Sequence, residues 1–205
     1  MRYYLILIIN LSLYSAVSAQ DAVSDNHKLG IKTSINISTL VGYELQNPRP
    51  KFGYTAGAYH IYNQQKAWSL YSELAASFRG SKFSNGDTGY SEISLFYLDV
   101  AVMPRHTFKG SNHSISSGPY ASYLALSSLY LGATQKPKTS DLNFSPYDAG
   151  LATFYHLKGT AVGLQVGAKL SLTNANDGVN FIGVFPTTGT GGIIRNLSFE
   201  IGLLF

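Results

Sequence analysis

From Leu29 to Thr39 the chain alternates strictly. Leu29, Ile31, Thr33, Ile35 and Ile37 fall on one side; Gly30, Lys32, Ser34, Asn36 and Ser38 fall on the other. A period of two predicts a β-strand with two chemically different faces. Trp68–Arg79 repeats the pattern, with Trp68, Leu70, Leu74, Ala76 and Phe78 opposed to Ser69, Tyr71, Glu73, Ser77 and Arg79. Ala161–Leu172 sets Val162, Leu164, Val166, Ala168, Leu170 and Leu172 against Gly163, Gln165, Gly167, Lys169 and Ser171. At the end of the chain Leu197, Phe199, Ile201, Leu203 and Phe205 alternate with Asn196, Ser198, Glu200, Gly202 and Leu204. Phe52–Tyr62, Ser91–Arg105, Ser114–Ala125 and Tyr147–Leu157 also alternate, but their glycines and alanines fit either face and leave the register open. Pro119 cannot donate to a ladder and marks a bulge or a membrane-edge position. Helical periodicity is almost absent.

The connections between these eight segments differ in length in a regular way. Leu40–Lys51, Gly80–Tyr90, Leu126–Pro146 and Thr173–Gly192 are long, whereas Asn63–Ala67, His106–His113 and Lys158–Gly159 are short. Long and short connections at opposite ends suit an outer-membrane barrel, with long extracellular loops and short periplasmic turns. Lipid offers no water to exposed backbone groups, so only helices or closed barrels cross it. The expected fold is all-β: an eight-stranded antiparallel transmembrane up-and-down β-barrel, with a lumen that side chains largely fill.

The first residues change the domain picture. Arg2 precedes an apolar run, Tyr3–Leu13, and Ala16-Val17-Ser18-Ala19 follows with small residues. This is the layout of a secretory signal cleaved after Ala19, leaving residues 20–205 as an outer-membrane barrel domain. An uncleaved anchor helix is the alternative. Charged residues make up only 13% of the chain, about half the usual share for a soluble domain. The mean hydropathy is nevertheless only +0.03, as alternation would make it. The formal charge of +4 is spread along the chain, so no nucleic-acid site is expected. With no cysteine, disulfides, thiolate metal sites and a lipoprotein anchor are excluded.

Which face looks outward decides between a membrane barrel and a soluble secreted ligand-binding barrel of lipocalin type. The polar faces are rich in Gly, Ser and Asn with scattered charges, whereas a soluble exterior would carry more Lys, Glu and Asp. The aromatic-ended strand finishing in Phe205 looks like the signal read by barrel-assembly machinery, which is the expected partner in biogenesis. Tyr62, Trp68, Tyr155 and Phe205 would line the periplasmic interface, and Phe78, Tyr90 and Phe96 the outer one.

Three stretches carry a family resemblance. Trp68–Lys82 has a central Glu and ends in a Gly-containing loop, and Tyr97-Leu-Asp-Val-Ala-Val-Met-Pro104 is similar to a Tyr-Leu-Glu-Ile-Pro segment, with Asp99 and Ala101 departing from it. Gly118-Pro-Tyr120, Tyr147-Asp-Ala-Gly-Leu151 and Leu172-Thr-Asn174 follow in order. Together the chain resembles the PorT-like outer-membrane β-barrel proteins of Bacteroidetes, from Leu29 to Phe205. The resemblance implies an eight-stranded outer-membrane barrel and carries over no catalytic or binding residue.

Candidate chemistry is sparse. Alternation points Lys32, Glu73, Arg79, Asp99, Arg105, Lys169 and Glu200 into the lumen, where opposite charges must pair, because an isolated buried ion costs several kcal/mol. The expectation is a structural ion-pair network. A proton or ion path, or an acid/base pair at Glu73 and Asp99, is the alternative. Among His27, His60, His106, His113 and His156, none sits in a recognisable Ser–His arrangement. His106 and His113 share one short turn, where a weak metal site is conceivable, although no metal or cofactor is expected. The apolar patch Asn180–Pro186 lies in a Gly/Thr-rich loop and either contacts a partner or folds over the barrel mouth. Asn-x-Ser sequons at Asn36, Asn112, Asn143 and Asn196 carry no weight in a bacterial chain.

The sequence therefore predicts a non-enzymatic outer-membrane protein, structural or partner-binding through extracellular loops and surrounded by outer-membrane lipid. A lipid-modifying hydrolase or acyltransferase is the alternative in a different class.

Overall fold

The structure is a computed structural model, and it describes residues 26–42, 45, 47–84, 90–131, 144–175 and 193–205. The expected leader at Met1–Ala19, the patch Asn180–Pro186 and the sequon at Asn143 lie outside the described residues. Eight strands follow one another: β1 (His27–Val41), β2 (Pro48–Tyr62), β3 (Trp68–Ser84), β4 (Tyr90–Thr107), β5 (His113–Leu131), β6 (Tyr147–Leu157), β7 (Gly163–Ser171) and β8 (Arg195–Leu204). Each pairs antiparallel with its sequence neighbours, and β1 pairs with β8, so the sheet closes without an edge.

The expected faces hold. Lys32, Ser34, Asn36 and Ser38 are buried in the lumen, and so are Ser69, Tyr71, Glu73, Ser77 and Arg79. Leu29, Ile35, Trp68, Leu70, Leu74, Val166, Leu170, Phe199, Ile201 and Leu203 are exposed on the outer surface. Leu74 is 63% exposed in mid-strand, with Val100 beside it on β4. An outer wall of exposed aliphatic side chains is stable where its solvent is hydrocarbon.

Two aromatic bands bound this wall. At the long-connection end Tyr54, Phe78 and Phe96 lie ring to ring at 4.6 Å on β2, β3 and β4, and Tyr123 and Tyr147 meet at 5.8 Å on β5 and β6. At the short-turn end Trp68 meets His106 at 4.7 Å, and His113 meets Tyr155 at 5.7 Å. Phe78 follows Trp68 by ten residues of β3. At ~3.3 Å per residue and a tilt near 40° this is a rise of about 25 Å, the height of an outer-membrane apolar band. Above the upper band the outer face turns charged, with Lys51 on β2 and Lys82 on β3 pairing Glu92 on β4.

Strands β3, β4 and β5 outrun the predicted segments: Gly80–Ser84 and Leu126–Leu131 are strand, not loop. They pair with one another above the upper aromatic band. The polarity of the alternation reverses there: Lys82, Glu92 and Ser94 take outward positions, whereas Phe83, Ile93, Leu95 and Leu129 join Leu40, Leu45, Phe144 and Ile194 in a core that fills the upper lumen. Likewise His106 lies within β4 and His113 opens β5, rather than both lying in a turn.

Pro119 is outward-facing within β5. The β4–β5 pairing passes from Ala101↔Tyr120 to Arg105↔Ser116, and the interval between holds both Pro104 and Pro119, neither of which can donate a ladder hydrogen bond. The β5 bulge lies elsewhere, at Phe96/Tyr97. Gly167 serves a close approach: a Cβ there would lie 2.3 Å from the Phe154 ring on β6. Small residues opposite large ones are what allow an eight-stranded lumen to fill.

Candidate functional site

The lumen is layered. Below the upper apolar core, and above a second cluster of Tyr59, Ile61, Met103, Leu204 and their neighbours, lies a ladder of alternating charges. Glu200 on β8 meets Lys32 on β1 at 2.5 Å. Lys32 Nζ reaches Glu73 on β3 at 2.8 Å. Lys169 on β7 crosses to the opposite wall, 3.3 Å from Glu73 and 3.0 Å from Asp99 on β4. Asp99 pairs Arg79 on β3, and Arg79 Nη1 lies 3.4 Å from Asp148 on β6.

Six of the seven predicted lumen charges are thus joined, and the ladder ties six strands across the barrel. Neutral donors add to these pairs, although Asp99 Oδ1 is left without a hydrogen-bond partner among the described residues. The Tyr71 hydroxyl donates to Glu73 at 3.0 Å, Ser34 to Glu200 at 2.8 Å and Ser77 to Asp99 at 3.0 Å. The cations also lie over aromatic faces: Lys32 is 4.9 Å from the Phe154 centroid, and Arg79 is 5.0 Å from that of Tyr97. A buried charge tolerates such a site only when its hydrogen-bonding capacity is met.

Asp148 was not among the predicted charges. It lies in a segment whose register the sequence left open, yet it takes the end of the ladder. Ser171, Thr173, Tyr120 and Asn196 donate to it at 2.5, 3.0, 3.3 and 3.3 Å. With four carboxylates on three cations, these donors stabilise the unmatched negative charge.

Arg105 does not join the network. Six residues of β4 separate it from Asp99, roughly 20 Å along a strand, far beyond the reach of a side chain. It lies instead at the short-turn mouth, 7% exposed. Its Nε has no hydrogen-bond partner among the described residues.

The alternative acid/base reading of Glu73 and Asp99 finds both carboxylates already held by two cations each. A Ser–His contact that the sequence did not reveal is present: Ser116 Oγ and His156 Nε2 are 2.8 Å apart across β5 and β6. They meet diagonally across the β5–β6 ladder, where His156 is opposite Ser114 and Ser116 opposite Phe154, a contact visible only once the register is known. The pair is buried in the lumen, with the His156 ring 5.0 Å from Tyr71 and 6.3 Å from Phe154. Both side chains face the lumen rather than the outer wall, where a lipid-modifying centre would need its nucleophile. His27 and His60 meet through ring nitrogens 3.1 Å apart. Among the described residues no group of three His, Asp or Glu side chains is placed to hold a metal.

No family model and no curated relative matches the chain. Among solved structures, the fold is similar to that of Ail, the attachment invasion locus protein of Yersinia pestis, in complex with the heparin analogue sucrose octasulfate. The two are 9% identical, with a TM-score of 0.50 over 88% of this chain and 98% of that one. It is also similar to Neisserial surface protein A, at 11% identity and a TM-score of 0.50, covering 88% of this chain and 98% of the other. At such identities the likeness is one of fold: a closed eight-stranded antiparallel β-barrel of the outer-membrane type.

Proposed function

We propose that this chain is a non-enzymatic protein of the bacterial outer membrane, exported by the leader at Met1–Ala19, and that it is structural or meets partners through its long-loop end. The observation that carries this is the reversal of polarity: an aliphatic outer wall between aromatic bands, around a lumen closed by paired charges. The fold likeness to Ail, an outer membrane protein, supports the location. Ail takes a heparin analogue, so sulfated sugars are one ligand class to try here. The kinship with PorT-like barrels is part of the same proposal and rests on the sequence stretches quoted for it.

The absence of cysteine makes the test simple. Asn47, between β1 and β2, and Lys109, between β4 and β5, are both exposed. A single cysteine at Asn47→Cys is expected to react with an impermeant maleimide on intact cells, and one at Lys109→Cys only after the outer membrane is opened. In planar bilayers the purified barrel should show no steady conductance. A processed protein that remains water-soluble without detergent overturns the proposal.

A further inference from the structure

The short-turn mouth holds a cavity of about 140 Å³, well above the roughly 10–15 Å³ that one water needs. Arg105, Lys28, Lys158, His156, Gln64 and Asn112 line it, and its lining includes no carboxylate. Elsewhere in the lumen every cation is matched: Lys32, Lys169 and Arg79 each hold two carboxylates. Arg105 is buried, yet no ion pair reaches its guanidinium and its Nε has no hydrogen-bond partner among the described residues. Lys28 feels both Lys158 and Arg105 as like charges. Its ammonium lies 5.8 Å from the centroid of Tyr59, whose hydroxyl donates to Phe205 O at 3.1 Å.

A desolvated guanidinium without a counter-ion is costly, and three basic groups converging on one cavity add mutual repulsion. An oxyanion relieves both. A guanidinium presents a planar fork that matches two oxygens at once, while flexible ammonium groups neutralise the remaining charge. Amide donors at Gln64 and Asn112 suit the other oxygens of a tetrahedral group.

We propose that this mouth is a binding site for a phosphate-type oxyanion, with Arg105 as its buried anchor and Lys28 and Lys158 as its outer charges. The site needs the barrel fold alone and is independent of what the long-loop end meets. The group is either free phosphate or the phosphate of a lipid headgroup. The band of Trp68, His106 and Tyr155 places this mouth at the depth of one headgroup layer.

The test uses the refolded chain in a nonionic detergent, titrated with inorganic phosphate and followed by calorimetry or by ³¹P line broadening. In parallel, the same chain is inserted in phosphatidylcholine vesicles with and without phosphatidylglycerol, and thermal stability is read. Saturable phosphate binding, weakened about tenfold or more in Arg105→Gln, the factor expected from one hydrogen bond to a charged group, supports the site and a free ligand. Stabilisation by phosphatidylglycerol that Arg105→Gln abolishes, without binding of inorganic phosphate, supports the site and a lipid source. If Arg105→Gln fails to fold, Lys28→Gln/Lys158→Gln is expected to show the same loss. No binding by either probe, or equal binding by wild type and variants, overturns the proposal.

Discussion

Lys32 is the rung of the charge ladder whose removal is most informative. Among the described residues its ammonium is the one cation paired with Glu200, at 2.5 Å, and it also holds Glu73 at 2.8 Å. In Lys32→Met, Glu73 keeps Lys169 and the Tyr71 hydroxyl. Glu200 is left with the Ser34 hydroxyl alone among the contacts seen here. Removing one member of a buried pair costs about 3–5 kcal/mol, chiefly because the stranded charge has lost both water and partner. Glu200→Gln is milder, at about 1–2 kcal/mol, because Lys32 retains Glu73. The double variant Lys32→Met/Glu200→Gln strands nothing and should recover about 2 kcal/mol relative to the sum of the single changes, a coupling in the range expected for groups in contact. The assay is urea unfolding of the protein in phosphatidylcholine vesicles, followed through Trp68, the sole tryptophan of the chain. Raising salt should leave the coupling nearly unchanged, since a pair excluded from water is little screened. Strict additivity of the two changes, or a Lys32→Met cost below about 1 kcal/mol, would refute the reasoning that the ladder is dry and mutually compensating.

Other positions separate the two faces of the wall. Leu74→Arg, near the mid-height of β3 and exposed to lipid, should lower stability by about 2–4 kcal/mol. Tyr62→Arg, at the end of β2, should cost about 1 kcal/mol or less; equal costs in the same urea titration would contradict a bilayer around this wall. Gly167→Val drives a side chain into Phe154 and the Thr153 carbonyl and should cost about 1–3 kcal/mol or more. Ala168→Val on the outer face should leave the unfolding midpoint nearly unchanged.

The strand faces were legible because charge and hydrophobicity contrast across each zigzag: Lys32 against Ile31, Glu73 against Leu74, Lys169 against Leu170. That contrast gives the direction of a side chain but not its height in the barrel or its partner across the lumen. Arg105 therefore looked equivalent to Arg79, although β4 carries it about 15 Å lower in the barrel than Asp99. Asp148 escaped notice for the complementary reason: alanine and glycine follow it, and the face of Tyr147–Leu157 became clear only through its pairing with β5 and β7. The upper lumen core was illegible because the polarity of the faces reverses there, with Ile93 and Leu95 inward and Glu92 and Ser94 outward, so the apolar side no longer marks the outer wall. Ser116 and His156 belong to segments with open register, and no local motif joins residues 40 positions apart.

The most direct measurement is the accessibility of spin labels on single cysteines along β8, from Leu197 to Leu203, in phosphatidylcholine vesicles. Collision with oxygen, which concentrates in the acyl chains, is expected to peak at Phe199, Ile201 and Leu203 and to fall at Ser198 and Gly202, while a water-soluble nickel chelate shows no access to the first set. A profile with the opposite phase, or one without a two-residue period, would contradict a barrel whose apolar face meets lipid.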